Sequence, residues 1–175
     1  RARKGITELS NILRSSMQAD KAEAVAFQKE LFIVKDYLAL ENMRFEDRLK
    51  IEYQIDEDTL DQPVPPMMLQ TLVENAIKHG LSSRAAAGRV EVRARHDGDQ
   101  LVLSVRDNGV GEGAGVARRE GVGLGNARAR LASLYGDAHH LEAGNANPGF
   151  RVEIVIPWHV QPMDALHPQG LAAVS

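Results

Sequence analysis

Apolar positions follow a helical period near the middle of the chain. They recur at steps of three and four residues, the spacing of a buried helix face: Met68, Leu69, Leu72, Val73, Ala76 and Ile77. Four polar residues share the opposite arc, because residues three and four apart are neighbours on a helix: Thr71, Glu74, Asn75 and Lys78. The pattern predicts a helix that begins near Pro65-Pro66 and continues to Gly80, a suitable C-terminal cap.

The polar arc of this helix combines a hydroxyl, a carboxylate, an amide and an ammonium group. Oxygen ligands suit Mg²⁺, and an ammonium group can meet a phosphate charge. A solvated helix face is the alternative interpretation, and the helix taken alone favours it. Asn75 is nevertheless a weak choice for a solvated face, because asparagine competes with the helix backbone for hydrogen bonds.

Residues 1–47 are predicted to be helical. Five apolar positions in their second half step by three and four residues, like a coiled-coil seam: Ala24, Phe27, Leu31, Val34 and Leu38. Five positions do not establish a coiled coil, and packing on the chain's own body is the alternative. Glu41 falls on the same seam, which suggests that the seam ends there or meets a partner.

Alternating apolar and polar residues predict strands in the rest of the chain. One strand covers Leu49 to Ile55, and residues 89–106 form a hairpin. A helix from Asn126 to Tyr135 precedes two closing strands, at 140–143 and 150–156. Between these elements, 56–66 is a connector and 81–88 a loop.

Composition narrows the class of protein. The chain has 175 residues, enough for one full domain with an appendage, and its 43% hydrophobic and 26% charged residues are ordinary globular values. A net charge of −3 gives no sign of a nucleic-acid partner. Cysteine is absent, which excludes disulfides and thiol chemistry. The apolar runs are too short to span a bilayer. Because the first residue is Arg1, we expect a fragment of a longer protein.

Residues 107–125 contain seven glycines and are predicted to form no regular element. Neither the Walker pattern nor the dinucleotide G-x-G-x-x-G pattern fits them. What fits is an acid after a strand, followed by glycines, a mobile cover at 112–120, and a second glycine cluster that leads into a helix. Asp107 can accept a hydrogen bond from an exocyclic amine, and Gly109 and Gly111 let a flat ring approach the backbone. The second cluster offers backbone amides to an anion: Gly121, Gly123 and Gly125. The order of these parts indicates a nucleotide site.

Three segments together resemble the N, G1 and G2 boxes of the GHKL ATPase superfamily: Glu74-Asn-Ala-Ile-Lys-His-Gly80, Asp107-Asn-Gly-Val-Gly111 and Gly121-Val-Gly-Leu-Gly-Asn126. Tyr37-Leu-Ala-Leu-Glu-Asn-Met-Arg-Phe45, followed by Pro65-Pro66, makes the chain similar to LytS/YehU-like sensor histidine kinases. The resemblance covers residues 5–158. It implies an α/β fold of the Bergerat type, a two-layer sandwich of a mixed sheet covered by helices and preceded by an N-terminal helical segment.

The resemblance also implies roles for individual residues. Asn75 would hold Mg²⁺, Asp107 would bind the adenine amino group, and Glu74 would orient or deprotonate the substrate histidine. ATP and Mg²⁺ are the expected cofactors. The remaining contacts to the nucleotide would come from the N box and the two glycine boxes: Lys78, His79, Gly109, Gly111, Gly121, Gly123, Leu124, Gly125 and Asn126.

One departure from the family concerns its phosphoacceptor histidine, which lies in an Asn-Pro-His-Phe-like motif before the segment matched by residues 5–17. No such motif occurs here. We therefore expect three parts: 1–47, the remainder of a dimerisation and phosphotransfer domain; 48–158, the ATP-binding catalytic domain; and 159–175, a poorly ordered tail. The acceptor histidine would lie upstream.

The leading hypothesis is the ATP-binding catalytic region of a two-component sensor histidine kinase. It implies a homodimer formed through the N-terminal helices, a cognate response regulator, a cytoplasmic location and membrane anchoring only through other segments. A serine-directed anti-sigma-factor kinase and a non-catalytic, nucleotide-gated interaction module are the alternatives. A gyrase- or chaperone-like ATPase is disfavoured, because nothing resembles their additional domains.

Overall fold

The computed structural model describes residues 24–81, 87–109 and 122–158. These residues form seven strands, three α-helices and a π-helical turn. In chain order the elements are β1 (Val25–Ala26), α1 (Phe27–Arg44), β2 (Leu49–Ile55), β3 (Pro63–Val64), α2 (Met68–Asn75), the π-helical turn Ala76–Leu81, β4 (Gly88–Asp97), β5 (Gln100–Asp107), α3 (Val122–Tyr135), β6 (His140–Asn145) and β7 (Phe150–Pro157). Short 3₁₀ turns occupy Glu57–Thr59 and Gly136–Ala138.

Five strands form one mixed sheet in the order β2-β4-β5-β7-β6. β2 pairs with β4 in parallel, and the other neighbours are antiparallel. One face of the sheet carries apolar side chains that join the helices in a single core, among them Val92, Leu103 and Ile154. The opposite face carries charged side chains such as Arg93 and Glu153. The result is two layers, with helices over one face of the sheet.

Helix α1 packs on the chain's own body. Phe27, Val34 and Leu38 on its seam are fully buried and belong to the common core. Glu41 is also buried, and its carboxylate accepts a hydrogen bond from the Arg44 side chain at 2.7 Å. Helix α1 ends at Arg44, three residues after Glu41, in agreement with the expectation that the seam ends there. The internal pair with Arg44 stabilises the Glu41 carboxylate in the core.

The central helix differs from its prediction at both ends. It begins after Met67, a residue with a left-handed backbone (φ 67°), and it is α-helical only as far as Asn75. The π-helical turn that follows keeps Ile77 and Leu81 in the core. Short π-helical stretches are wider than an α-helix and are frequent at functional sites. This one brings the Gly80 backbone against the Asp107 side chain.

Helix α3 begins earlier than the glycine content suggested. Gly123 and Gly125 lie inside it rather than before it, because α3 starts at Val122. Both still belong to its first turn, whose amides have no intrahelical carbonyl partners. The predicted cover at 112–120, with Gly111 and Gly121, lies outside the described residues, as does the tail at 159–175. Within the described part of the chain, no helix has the length and apolar character needed to cross a membrane.

Candidate functional site

A cavity of about 500 Å³ separates α2 and its π-helical turn from the start of α3. Four predicted polar residues of the central helix line one wall, together with the next residue along that turn: Thr71, Glu74, Asn75, Lys78 and His79. The first turns of α3 supply the opposite wall with Gly123 and Asn126. Two stretches that are almost fifty residues apart in the chain therefore face each other across one space.

Glu74 is not a solvated carboxylate. It is only 7% exposed, and its Oε1 accepts a hydrogen bond from Gln70 Nε2 at 3.0 Å. Lys78 lies one turn further along, with its Nζ 3.7 Å from Glu74 Oε2, and its own side chain is exposed. The solvated-face alternative is therefore wrong for Glu74, because its carboxylate is buried, accepts a hydrogen bond from Gln70 and lines the cavity. Gln70 has no role among the predictions from the sequence, although it lies four residues before Glu74, a spacing that makes the two side chains neighbours on a helix.

Asn75 is half-buried at the same wall and carries an amide oxygen. Among the described residues no cluster of three His, Asp or Glu side chains could hold a metal ion by itself. Mg²⁺ commonly uses one or two protein oxygens and completes its octahedron with phosphates and water. A single amide oxygen that lines the same cavity as the first turns of α3 fits that donor set.

Asp107 lies at the end of β5 and is buried, with 2% of its surface exposed. Its Oδ1 accepts a hydrogen bond from the Gly109 amide at 2.8 Å. A Cβ at Gly80 would lie 2.4 Å from the Asp107 Cγ, and one at Gly109 would lie 2.0 Å from the Gly80 carbonyl oxygen. Both glycines are therefore required by close packing around this carboxylate. Asp107 does not line the cavity between α2 and α3.

Of the other residues predicted to contact the nucleotide from α3, some line the cavity and some do not. Leu124 is buried and packs in the common core, so its side chain does not face the cavity. Gly125 has nothing within 4 Å of an added Cβ, and it does not line the cavity either. An added Cβ at Gly123 would lie 3.5 Å from Thr71 Cγ2, which is ordinary contact. The α3 wall thus uses Gly123 and Asn126, while Leu124 anchors the helix.

Two further residues support this region and were missed. Arg130 lines the cavity from α3, and its Nη1 donates to the Pro66 carbonyl at 3.1 Å. Gly149 has φ 92°, and a Cβ there would lie 1.8 Å from the Asp107 carbonyl oxygen. The Arg130 contact joins residues sixty-four positions apart. Only Gly149 carried a local signal, as a glycine after proline in a turn.

A buried polar group on α1, the Tyr37 hydroxyl, interacts electrostatically with Glu74. Burial raises the pKa of Tyr37 above its usual value, and the nearby carboxylates of Glu41 and Glu74 raise it further. The Tyr37 hydroxyl therefore stays protonated and bonds to Glu41. Helix α1 thus places an uncharged hydroxyl near Glu74, on the core side of the helix.

Residues 61–160 match the family model of the histidine kinase-, DNA gyrase B- and HSP90-like ATPases. Residues 1–49 match a second model, described as histidine kinase. Sensor protein LytS of Staphylococcus haemolyticus is 38% identical over 170 residues, which cover 91% of this chain and 29% of that protein. Sensor histidine kinase YpdA of Escherichia coli is 34% identical, over 89% of this chain and 28% of that protein. The chain thus spans less than a third of the length of these relatives.

Solved structures share the fold. The histidine kinase domain of the blue-light activated histidine kinase EL346 from Erythrobacter litoralis superposes with a TM-score of 0.63 at 20% identity, covering 95% of this chain and 79% of that one. The catalytic domain of histidine kinase ThkA gives 0.58 at 12% identity, covering 77% and 94%. These likenesses confirm the α/β two-layer sandwich predicted from the sequence.

Proposed function

The chain belongs to the histidine kinase-, DNA gyrase B- and HSP90-like ATPase family, and we propose that it is the ATP-binding catalytic region of a two-component sensor histidine kinase. In this proposal ATP binds with Mg²⁺ between α2 and α3, and its γ-phosphoryl group is transferred to a histidine presented from outside the cavity. The single observation that carries the proposal is the convergence on one cavity of the polar arc of α2 and the first turns of α3.

Each wall has a distinct part in binding. The exposed ammonium of Lys78 suits the phosphate charges, and the first-turn amides of α3 form an anion site with the helix dipole behind them. Asn75 would supply a protein oxygen to Mg²⁺, which when bound neutralises phosphate charge. Asp107 does not line this cavity, so the adenine end of the nucleotide would extend beyond it to the end of β5, where Asp107 would bind the adenine amino group. The glycines packed around Asp107 hold its carboxylate in one position.

Glu74 is suited to the acceptor rather than to the nucleotide. Its carboxylate is fixed by Gln70 on one oxygen and approached by Lys78 on the other. Its carboxylate would accept a hydrogen bond from the N–H of an incoming imidazole, so that the unprotonated ring nitrogen faces the phosphorus atom. Transfer then forms the nitrogen–phosphorus bond and releases ADP. Positioning and charge neutralisation supply most of the rate in phosphoryl transfer.

Partners and location follow from the same proposal. The segment matched at residues 1–49 supports dimerisation through N-terminal helices. A response regulator would receive the phosphoryl group, and anchoring in the bacterial inner membrane would rest on other segments.

The proposal is tested by mixing the chain with Mg-ATP labelled at the γ-phosphate and, in separate reactions, a protein segment that carries the acceptor histidine or an anti-sigma-factor-type substrate that carries an acceptor serine. We expect acid-labile, base-stable phosphate on that segment. Acid-stable phosphate on a serine would instead show the anti-sigma-factor type of kinase. Binding of ATP without transfer to either acceptor would show a nucleotide-gated module.

A further inference from the structure

The turn formed by Pro66 and Met67 immediately precedes α2, and both residues line one edge of the cavity. Met67 is not glycine, yet its backbone is left-handed at φ 67°. Such a conformation is unfavourable for a residue that carries a Cβ, and it persists only where the surroundings over-determine it. Here the Met67 carbonyl accepts two hydrogen bonds from Thr71, from its amide at 3.0 Å and from its Oγ1 at 2.8 Å. The turn is therefore held in an unfavourable state by specific contacts.

The Met67 amide is bound by a residue of another element. Glu30 of α1 accepts its N–H on Oε1 at 2.7 Å, and the Glu30 side chain is only 1% exposed. The N-cap residue of α2, Met67, makes no side-chain capping hydrogen bond. Burial raises the pKa of Glu30, while the amides of Met67, Gln70 and Leu69 oppose part of that rise. A carboxylate of α1 thus replaces the local cap of α2.

The same turn is bound from the opposite side by α3. Arg130 donates to the Pro66 carbonyl at 3.1 Å, and Pro66 and Met67 both line the cavity. The turn therefore connects α1, which precedes the ATPase match and lies within residues 1–49, with the two helices that form the cavity walls. A shift of α1 along α2 would withdraw the Glu30 carboxylate from the Met67 amide.

We propose that Glu30 is a positioning residue for the nucleotide site: its carboxylate fixes the Pro66–Met67 turn and thereby ties nucleotide affinity to the placement of helix α1. The inference rests on the proposed function, because it takes the cavity to be the nucleotide site. When Glu30 holds the turn, the cavity edge is formed before the nucleotide arrives. When that bond is lost, the turn leaves the left-handed state, and binding must restore it, which lowers affinity.

The test compares the parent chain with Glu30→Gln, which keeps the size of the side chain and one acceptor oxygen but replaces the carboxyl group with a neutral amide. ATP affinity is measured by calorimetry with Mg²⁺, at a temperature where circular dichroism shows both proteins fully folded. We expect affinity to fall by up to roughly tenfold, because the Gln amide oxygen can accept the Met67 N–H only in a neutral hydrogen bond, which has about half the strength of a charge-assisted one. Hydrogen exchange at the Met67 amide is measured on the same samples and should become faster in the variant.

Asp36→Asn is the matched control, since Asp36 is an exposed acid on the same helix; it should change neither quantity. A Glu30→Gln variant that melts earlier but binds ATP like the parent would reduce Glu30 to a structural cap and overturn the inference. If Glu30→Gln does not fold, Glu30→Asp takes its place. Its shorter carboxylate should give a partial loss of affinity, and parental affinity there would also overturn the inference. A parent that does not bind ATP would instead defeat the proposed function itself.

Discussion

Replacing Gly80 by alanine perturbs the closest packing around the candidate site. The added Cβ would lie 2.4 to 2.5 Å from Cγ and both carboxylate oxygens of Asp107, about 1 Å inside normal contact. Asp107 cannot move away freely, because its Oδ1 holds the Gly109 amide at 2.8 Å. We expect Gly80→Ala to destabilise the chain by about 1–3 kcal/mol through overpacking, and by more if the hydrogen bond to Asp107 breaks.

Gly125→Ala is the matched control for this prediction. An added Cβ there meets nothing within 4 Å, and Gly125 lies in a helix, where alanine is favoured over glycine. Gly125→Ala should therefore stabilise the chain by up to about 1 kcal/mol. The two Gly→Ala changes are identical in chemistry, but we expect them to change the free energy of unfolding in opposite directions.

The assay is urea unfolding followed by circular dichroism, with ATP titration of each folded variant. Gly80→Ala should lower the midpoint without a large change in slope, and it should weaken ATP binding because Asp107 is displaced. Gly125→Ala should raise the midpoint. Equal midpoints for Gly80→Ala and the parent would refute the packing geometry around Asp107.

Three other predictions concern single residues. Asn75→Ala should remove the Mg²⁺ dependence of ATP binding, because an oxygen ligand is lost; a variant that still gains affinity with Mg²⁺ as the parent does would refute this assignment. Glu74→Gln should leave ATP affinity nearly unchanged and slow histidine phosphorylation by about 10²–10⁴-fold, whereas equal initial rates at saturating Mg-ATP would exclude Glu74 from the chemical step. His96 stacks on Trp158, the only tryptophan, at 3.5 Å, and the hydrogen bond to Asp58 raises the His96 pKa above 6.5. The folded state stabilises the protonated form of His96. The pair of His96 and Asp58 therefore stabilises the fold fully below pH 6.5, and this stabilisation is lost as pH rises through the raised pKa of His96. Trp158 fluorescence should titrate with a midpoint above 6.5 that falls in Asp58→Asn, and an unchanged midpoint would contradict the pairing.

Local sequence patterns predicted most of the regular structure. Strand β2 and the β4–β5 hairpin follow from alternation of apolar and polar residues, which depends only on neighbours in the chain. The polar arc of α2 likewise follows from helical spacing, and the structure brings all four of its residues to one cavity wall. The assignment of individual roles to these residues stays a prediction.

What the sequence did not predict depends on distant contacts. The left-handed Met67 is stabilised by Glu30, thirty-seven residues earlier, so no local pattern marks it. The switch from α to π geometry after Asn75 accompanies packing of Gly80 on Asp107, which comes from another strand. Helix α3 starts at Val122, four residues before the predicted Asn126. The low helix propensity of glycine predicts the later start, but Leu124 packs in the core, and this tertiary packing outweighs the propensity.

In the proposed function, this chain binds ATP with Mg²⁺ at one site that depends on Asp107. Calorimetric titration of the chain with Mg-ATP, for the parent and Asp107→Ala side by side, tests it most directly, with circular dichroism to show that both are folded. We expect one saturable site in the parent and no measurable binding in the variant. Absence of binding by the folded parent, or equal affinity in the two proteins, would contradict it.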